Sequence, residues 1–346
     1  MNIFERIEEN LDKECLKKEE QRLARNINIE LDSHRPQSRD FSHLYSSREI
    51  AVDNEKIRRY LKKDPHHGKI DLLRDGLELE GVFYQVDQIE LFEETSDDAR
   101  YDYLFTDERD FAFQAFPAHK YDDLFNNTDM YCTLCNTDTN HRPIVFSIDC
   151  TTNSYKVAEK INYYQHHRPK RYQGTTSAKY FIDSQQNHPD KQNFPTGRID
   201  IMPHFVVGCH SETSNELAKY LYGFKDPDHP DRYNQIKNPK NYQNFLSYVR
   251  TCVVAELREQ AKSTLAALKQ ESIQDSSTDL VNLIDAYIRL DRYFSNTFDY
   301  LKQNNQIYQS YQFDPVYTQI HDACQNQPTQ ETPRHTSPTP LASPSN

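Results

Sequence analysis

The chain has 346 residues, a formal net charge of −12 and 36% apolar residues, with a mean hydropathy of −0.93. It has 23 Tyr and 18 Phe but no Trp and only 3 Met, so Tyr and Phe must pack the core. The charge excludes bulk electrostatic binding of nucleic acid or anionic lipid. It leaves room for a local basic patch, or for metal ions acting on nucleic acid.

The seven cysteines, at positions 15, 132, 135, 150, 209, 252 and 324, are odd in number and too dispersed for a disulfide framework. The opening stretch MNIFERIEENLDKECLKKEEQR is highly charged and lacks an apolar h-region. No apolar run approaches the ~20 residues needed to span a bilayer. The expectation is a cytoplasmic protein with no membrane partner.

Residues 1–70 read as an N-terminal helical region and linker. Ile3, Phe4, Ile7, Leu11 and Leu16 form a rough apolar stripe in a Glu/Lys/Arg-rich helix. SHRPQSRDFSHLYSSRE is a polar linker, and the next helix is predicted over Asn54–Lys63, ended by Asp64-Pro65. Residues 71–223 carry an α/β pattern. Strands are predicted at Val82–Val86, Tyr101–Phe105, Ile144–Ile148, Lys179–Ile182 and Phe205–Gly208. Helices are predicted at Ser154–Gln165 and Ser214–Leu221, the second opened by a Thr213–Glu216 capping box. This order points to a mixed sheet flanked by helices. Residues 224–322 begin with the proline-broken FKDPDHPDRYNQIKNPKNYQ and continue as two long helices, Phe245–Gln270 and Leu280–Asn304. They read as a hairpin that packs on the sheet or on a protein partner. Residues 323–346 are Pro/Ser/Thr-rich and are predicted to be disordered.

The run Ile144–Ile148 is continuously apolar, as in an interior strand buried on both faces, and it ends on Asp149. In open α/β sheets ligands bind beyond that carboxyl end. Cys150, Thr151, Thr152 and Asn153 then lead into a helix whose N-terminus suits an anion. A second carboxylate, Asp102, alternates with Tyr101, Tyr103 and Phe105 and so shares a strand face with Leu104; Asp97 and Asp98 lie just upstream. A charge amid apolar neighbours is costly unless it is paired or metal-bound. Converging carboxylates make a site for Mg²⁺ or Mn²⁺, which can activate water and neutralise a phosphodiester. An ammonium group would complete it. Lys160 is favoured, Lys156 lies four residues earlier on the same helix face, and Lys179 is a third candidate.

This order, a strand aspartate, an apolar strand ending in a carboxylate, a helix and a further strand, resembles the restriction-endonuclease-like, or PD-(D/E)XK, superfamily. IDCTTN with a downstream EK and an MPHFVVG strand is most similar to uncharacterised bacterial proteins with an I-D-x-T-x-N motif. The resemblance covers about residues 90–222. It implies a three-layer α/β/α core with a mixed sheet and divalent-metal-dependent phosphodiester hydrolysis of nucleic acid. Asp102 would be the first acid, with Asp98 as an added ligand, and Asp149 the second. Thr151 stands where the superfamily places its lysine, so a lysine shifted onto the helix, Lys160 or Lys156, would take that role. The segment between the two acids is longer than usual.

Other signals are weaker. Cys132-x-x-Cys135, with His141 beyond, has half the spacing of a zinc site. Two ordinary thiols near a turn are the plainer reading. NYYQHHRPKRY at 162–172 interleaves aromatics with Arg168, Lys170 and Arg171, a local patch suited to nucleic acid. A solvated loop gives the same pattern. No Walker loop, GxGxxG or GxSxG occurs among only seven glycines, which disfavours ATPase, dinucleotide-dependent and α/β-hydrolase chemistry. Two functions therefore stay open: a metal-dependent nuclease, or a catalytically inactive nuclease-fold scaffold whose C-terminal helices recruit a protein. Convergence of the carboxylates and a lysine separates them.

Overall fold

The computed structural model describes residues 18–19, 21–29, 31–63, 111–136, 143–151, 154–163, 172–181, 197–210, 212, 218–219, 240–273, 275–303 and 309–325. Their elements are α1 (Ser47–Lys63), β1 (Phe111–Pro117), α2 (Lys120–Asn126), β2 (Met130–Asn136), β3 (Ile144–Thr151), α3 (Ser154–Asn162), β4 (Thr175–Phe181), β5 (Gly197–Gly208), α4 (Lys240–Glu271), α5 (Thr278–Gln303) and α6 (Pro315–Gln325). The strands form one mixed sheet of five, in the order β1-β2-β3-β5-β4. Strands β1, β2 and β3 form an antiparallel meander, β3 and β5 are parallel, and β4 returns antiparallel along β5.

The expected mixed α/β fold is present, and so are the strands predicted around 144, 179 and 205. Strands β1 and β2 lie where the sequence suggested only a long insertion. The predicted strands Val82–Val86 and Tyr101–Phe105 fall outside the described residues, as does most of Ser214–Leu221. Helix α1 begins seven residues earlier than expected because Ser46 and Glu49 form a capping box. The Ser46 N–H donates to Glu49 Oε2 at 3.0 Å, and the Glu49 N–H donates to Ser46 Oγ at 3.3 Å. Helix α6 continues to Gln325, past the predicted start of the disordered tail at 323.

Strand β3 is buried along all eight residues, as its apolar run demands. Ile144, Phe146, Ile148 and Cys150 join one core with Phe205 and Val207 and with Val253, Leu257, Leu283, Tyr287 and Phe294 of α4 and α5. Phe294 meets both Phe146 and Phe205 edge-on, with centroids 6.0 and 5.7 Å apart. The C-terminal hairpin thus spends its main apolar stripe on its own sheet. On the other face, Val145 packs with Phe116, Tyr131, Phe181 and Met202. Farther along that face, Val206 packs with Val157 and Ile161 of α3 and with Val316 and Ile320 of α6.

Strand β4 pairs β5 only as far as Pro203, so the last residues of β5 need other partners on that side. Helix α4 supplies them. Gln260 Oε1 accepts the Val206 N–H at 3.0 Å, and its amide donates to the Val206 carbonyl at 2.6 Å. One turn earlier, Glu256 Oε2 accepts the Gly208 N–H at 2.8 Å. At the edge strand β4, Asp122 of α2 accepts the Lys179 and Tyr180 N–H groups, both at 2.8 Å. Among the described residues, no helix is long and apolar enough to cross a membrane.

Two predictions follow from packing and burial. A Cβ at Gly208 would lie 2.2 Å from the Thr151 carbonyl oxygen and 2.4 Å from Val316 Cγ1. The first contact is backbone and cannot swing away. Gly208→Ala should therefore lose about 1–3 kcal/mol or more in urea unfolding; an unchanged midpoint would mean that β3 and β5 separate freely at this point. His119 caps α2 through Nδ1, which accepts the Tyr121 N–H at 3.0 Å. Burial lowers its pKa from 6.5 to about 4, and Arg35 adds to this. The unfolded chain then binds more protons than the native one between pH 4 and 6.5, so this stability is present above pH 6.5 and is lost as pH falls through that window. His119→Asn keeps an oxygen cap without the titration. The stability of the wild type relative to His119→Asn should fall by up to about 3 kcal/mol from pH 7 to pH 4. A pH-independent difference would place the imidazole in water.

Candidate functional site

The left-handed turn at Asn127 (φ 50°) ends α2 and sends the chain into β2. Asp129 stands just before that strand, and its backbone is held on both sides. The Ala118 N–H donates to the Asp129 carbonyl at 2.9 Å, and the Asp129 N–H donates to the Ile148 carbonyl at 2.9 Å. The antiparallel register sets Met130 opposite Ile148, which brings Asp129 alongside Asp149 at the carboxyl end of β3. Asp129 Oδ2 accepts the Cys150 N–H at 2.7 Å. Its carboxyl group also shares a hydrogen bond with that of Asp149.

Helix α3 brings the third member. Val157 and Ile161 fix the helix against Val206, Val316 and Ile320. Lys160, on the flank of that buried stripe, donates from Nζ to Asp149 Oδ1 at 2.6 Å and to the Cys150 carbonyl at 3.4 Å. Asp149 is only 4% exposed. Burial pushes its carboxyl up, to about 7; Lys160 draws it down and Asp129 pushes it up again. Burial pulls the Lys160 ammonium down, but the two carboxyl groups more than offset this and hold it above its ordinary value. Two acids thus face one ammonium, and Asp149 keeps its proton to a higher pH than an ordinary aspartate does.

Thr151 is buried on the same face of β3, two residues beyond Asp149. Ser147, two residues before it, lies 2.8 Å from His204 Nδ1. Lys156 is exposed one turn before Lys160. Lys179 belongs elsewhere: it pairs with the buried Asp53, and the rings of Tyr45, Tyr121 and Tyr180 lie 5.4–5.5 Å from its Nζ. Asp98, Asp102, Arg168, Lys170 and Arg171 lie outside the described residues. Cys132 is packed in the α4–α5 core, and Cys132 and Cys135 hold positions three apart on the continuous strand β2.

Sequence reasoning missed Asp129. The stretch NNTDMYCTLC carried the signal: a left-handed turn residue, then an acid, then a strand. Its pairing with Asp149 depends on a register that the sequence leaves open. The donor set fits a hard divalent cation. Asp149 is buried and Asp129 half-buried, and a cation held by the two carboxylates would replace the proton that burial favours on Asp149. Among the described residues, no group of three or more His, Cys, Asp or Glu side chains is placed to hold a metal. Water, a backbone carbonyl and substrate oxygens would complete the shell, as they commonly do for Mg²⁺.

Compared with known families, curated proteins and solved structures, the chain matches none.

Replacing Asp129 by Asn keeps the acceptor for the Cys150 N–H and removes the acidic neighbour. The Asp149 carboxyl, followed by ¹³C NMR without added metal, should then titrate at lower pH than in the wild type. An unshifted midpoint would show that the two groups do not interact.

Proposed function

We propose that the protein is a divalent-metal-dependent nuclease with a restriction-endonuclease-like α/β/α core, and that Asp129, Asp149 and Lys160 are its site. What carries the reading is the meeting of Asp129, Asp149 and Lys160 from three different elements at the carboxyl end of a central strand. The mixed five-stranded sheet and the helix α3 that follows the carboxyl end of β3 support this reading. In this assignment Asp129 takes the role of first acid that the sequence pattern suggested for Asp102, because among the described residues Asp129 is the carboxyl group that adjoins Asp149. Lys160, not Lys156, takes the place of the motif lysine displaced by Thr151.

A Mg²⁺ or Mn²⁺ ion held by the two carboxylates would lower the pKa of a bound water and offset charge on a phosphodiester. The chain's own groups do the rest. The Cys150 N–H fixes Asp129 so that one oxygen stays turned toward Asp149. Lys160 holds its proton on Nζ beside Asp149 and offers it as a hydrogen bond to a substrate phosphate oxygen, where negative charge builds in the transition state. The packing of α3 keeps that ammonium in reach.

The scaffold reading rests on one observation, the near-complete burial of Asp149 beneath Lys160, which also suits a structural ion pair. Cleavage assays separate the two. With Mn²⁺ and labelled DNA or RNA, Asp129→Ala, Asp149→Ala and Lys160→Met should each lose about 100-fold or more of the wild-type rate. Lys156→Met should stay close to wild type. If the wild type cleaves neither nucleic acid, or if Asp149→Ala cleaves as well as it does, the nuclease reading is lost and the scaffold stands.

A further inference from the structure

The candidate site lies at the carboxyl end of β3. At the other end the sheet is split. The β3–β5 ladder begins at the pair Ser147 and His204, although β3 already starts at Ile144 and β5 at Gly197. A proline explains the gap. Backbone groups of successive strand residues point to alternate sides of the strand. The Ile148 carbonyl faces β2, where it accepts the Asp129 N–H, so the Val145 carbonyl faces β5. The His204 N–H donates away from β3, to the Gly174 carbonyl at 3.0 Å, so position 203 faces β3. A continued parallel ladder would give the Val145 carbonyl an N–H from position 203, and Pro203 has none. Just before it the β4–β5 register shifts between the pairs Thr176–Met202 and Ala178–Ile199. Such an irregularity bends its strand, here next to the split.

The result is a cleft of about 350 Å³ between β3, β5 and α5, the size of a small-ligand pocket. Ile144, Val145, Ile199, Ile201, Met202 and Leu283 give it apolar walls. Helix α5 sets Asp279, Asp285 and Arg289 on its rim, with Arg289 and Asp285 3.9 Å apart. Two acids against one guanidinium, on a chain of net charge −12, favour a cationic visitor and oppose an anionic one. The occupant must also carry an apolar body and donate an N–H to a strand carbonyl. A peptide in extended form does all three, because its backbone repeats at the spacing of a strand edge.

We infer that the β3–β5 cleft binds a short extended peptide segment, apolar at its centre and flanked by Lys or Arg, whose backbone N–H takes the place of the donor that Pro203 lacks. This is a second site, at the opposite end of β3 from Asp149, and it stands or falls independently of the nuclease reading.

The test is NMR titration of the full chain, labelled at its isoleucine methyl groups, with the blocked peptide acetyl-Lys-Val-Ile-Lys-amide. The probe carries every feature the cleft recognises. The Ile144, Ile199 and Ile201 methyl signals should shift and saturate with a Kd of about 1 mM or below, while Ile27 and Ile320, in other parts of the core, stay in place. Methylating the central peptide nitrogens removes the donors and should weaken binding about 10-fold. Asp285→Lys, on an exposed position that leaves the fold intact, should weaken it by about 3-fold or more. Pro203→Ala restores the missing N–H, lets β5 close on Val145, and should weaken binding about 10-fold. No saturable shift of the three methyl signals at about 5 mM peptide overturns the proposal. So does equal binding of the methylated peptide, which would make the cleft an apolar pocket without strand pairing, or full affinity in Asp285→Lys.

Discussion

At the end of β3 a buried carboxyl group, Asp149, is brought together with a half-buried one, Asp129, and the half-buried ammonium of Lys160. Taking each ion from water costs several kcal/mol even after relaxation, and a buried ion pair seldom recovers more than this. Here the acids outnumber the lysine, so the cluster is worse off than a simple pair. A fold that needed only stability would place apolar side chains there. The surroundings instead fix all three groups in place. The meander register sets Asp129 beside Asp149, the Cys150 N–H holds it there, and the apolar side of α3 aims Lys160. Rigid placement of such a cluster is what the proposed cation site would need.

That rigidity reaches outward through β5. Strand β3 is gripped by β2 on one side and by β5 on the other. Strand β5 is itself half-open beyond Pro203, and Gln260 and Glu256 of α4 close it with side-chain hydrogen bonds. Val206, which Gln260 holds through both its N–H and its carbonyl, is the register partner of Asp149. Helix α6 presses on the same place from the other side through Val316 and Ile320. Asp314 anchors it by capping its first turn and accepting the His210 N–H and the Tyr248 hydroxyl. The C-terminal helices are therefore part of what steadies the site.

Asp149 and Lys160 were legible in the sequence because each signal was local. An unbroken apolar strand ending on an acid is uncommon, and a helix starting five residues later has few faces to offer. The hairpin of α4 and α5 was legible from its periodicity. Asp129 was not, because its role comes from cross-strand register, and register is fixed by pairing between segments that share no local pattern. Strands β1 and β2 were lost for a related reason. Each is seven residues long and interrupted by polar or small residues, and α2 between them looks like loop. The helical stop at α6 was missed because the Pro/Ser/Thr-rich composition after residue 326 coloured the reading of the residues before it.

Several acids are buried in this protein, and their partners tell them apart. Asp122 gives its oxygens to two N–H groups of β4, and Asp314 caps a helix. Glu256 accepts an N–H of β5, and burial drives its pKa up. These are staples, with carboxyl groups standing where a strand or a helix turn lacks a partner. Asp53 meets side chains, but they are two lysines, Lys179 and Lys56, and one phenol, all of them partners that favour its ionised form. Asp149 differs from all of them in facing both a lysine and a second acid. A backbone staple loses nothing by staying protonated, and an isolated ion pair has its charge already balanced. With both carboxyl groups ionised the cluster carries one negative charge more than Lys160 offsets, and that surplus is what sets Asp149 and its neighbour Asp129 apart from the other acids named here.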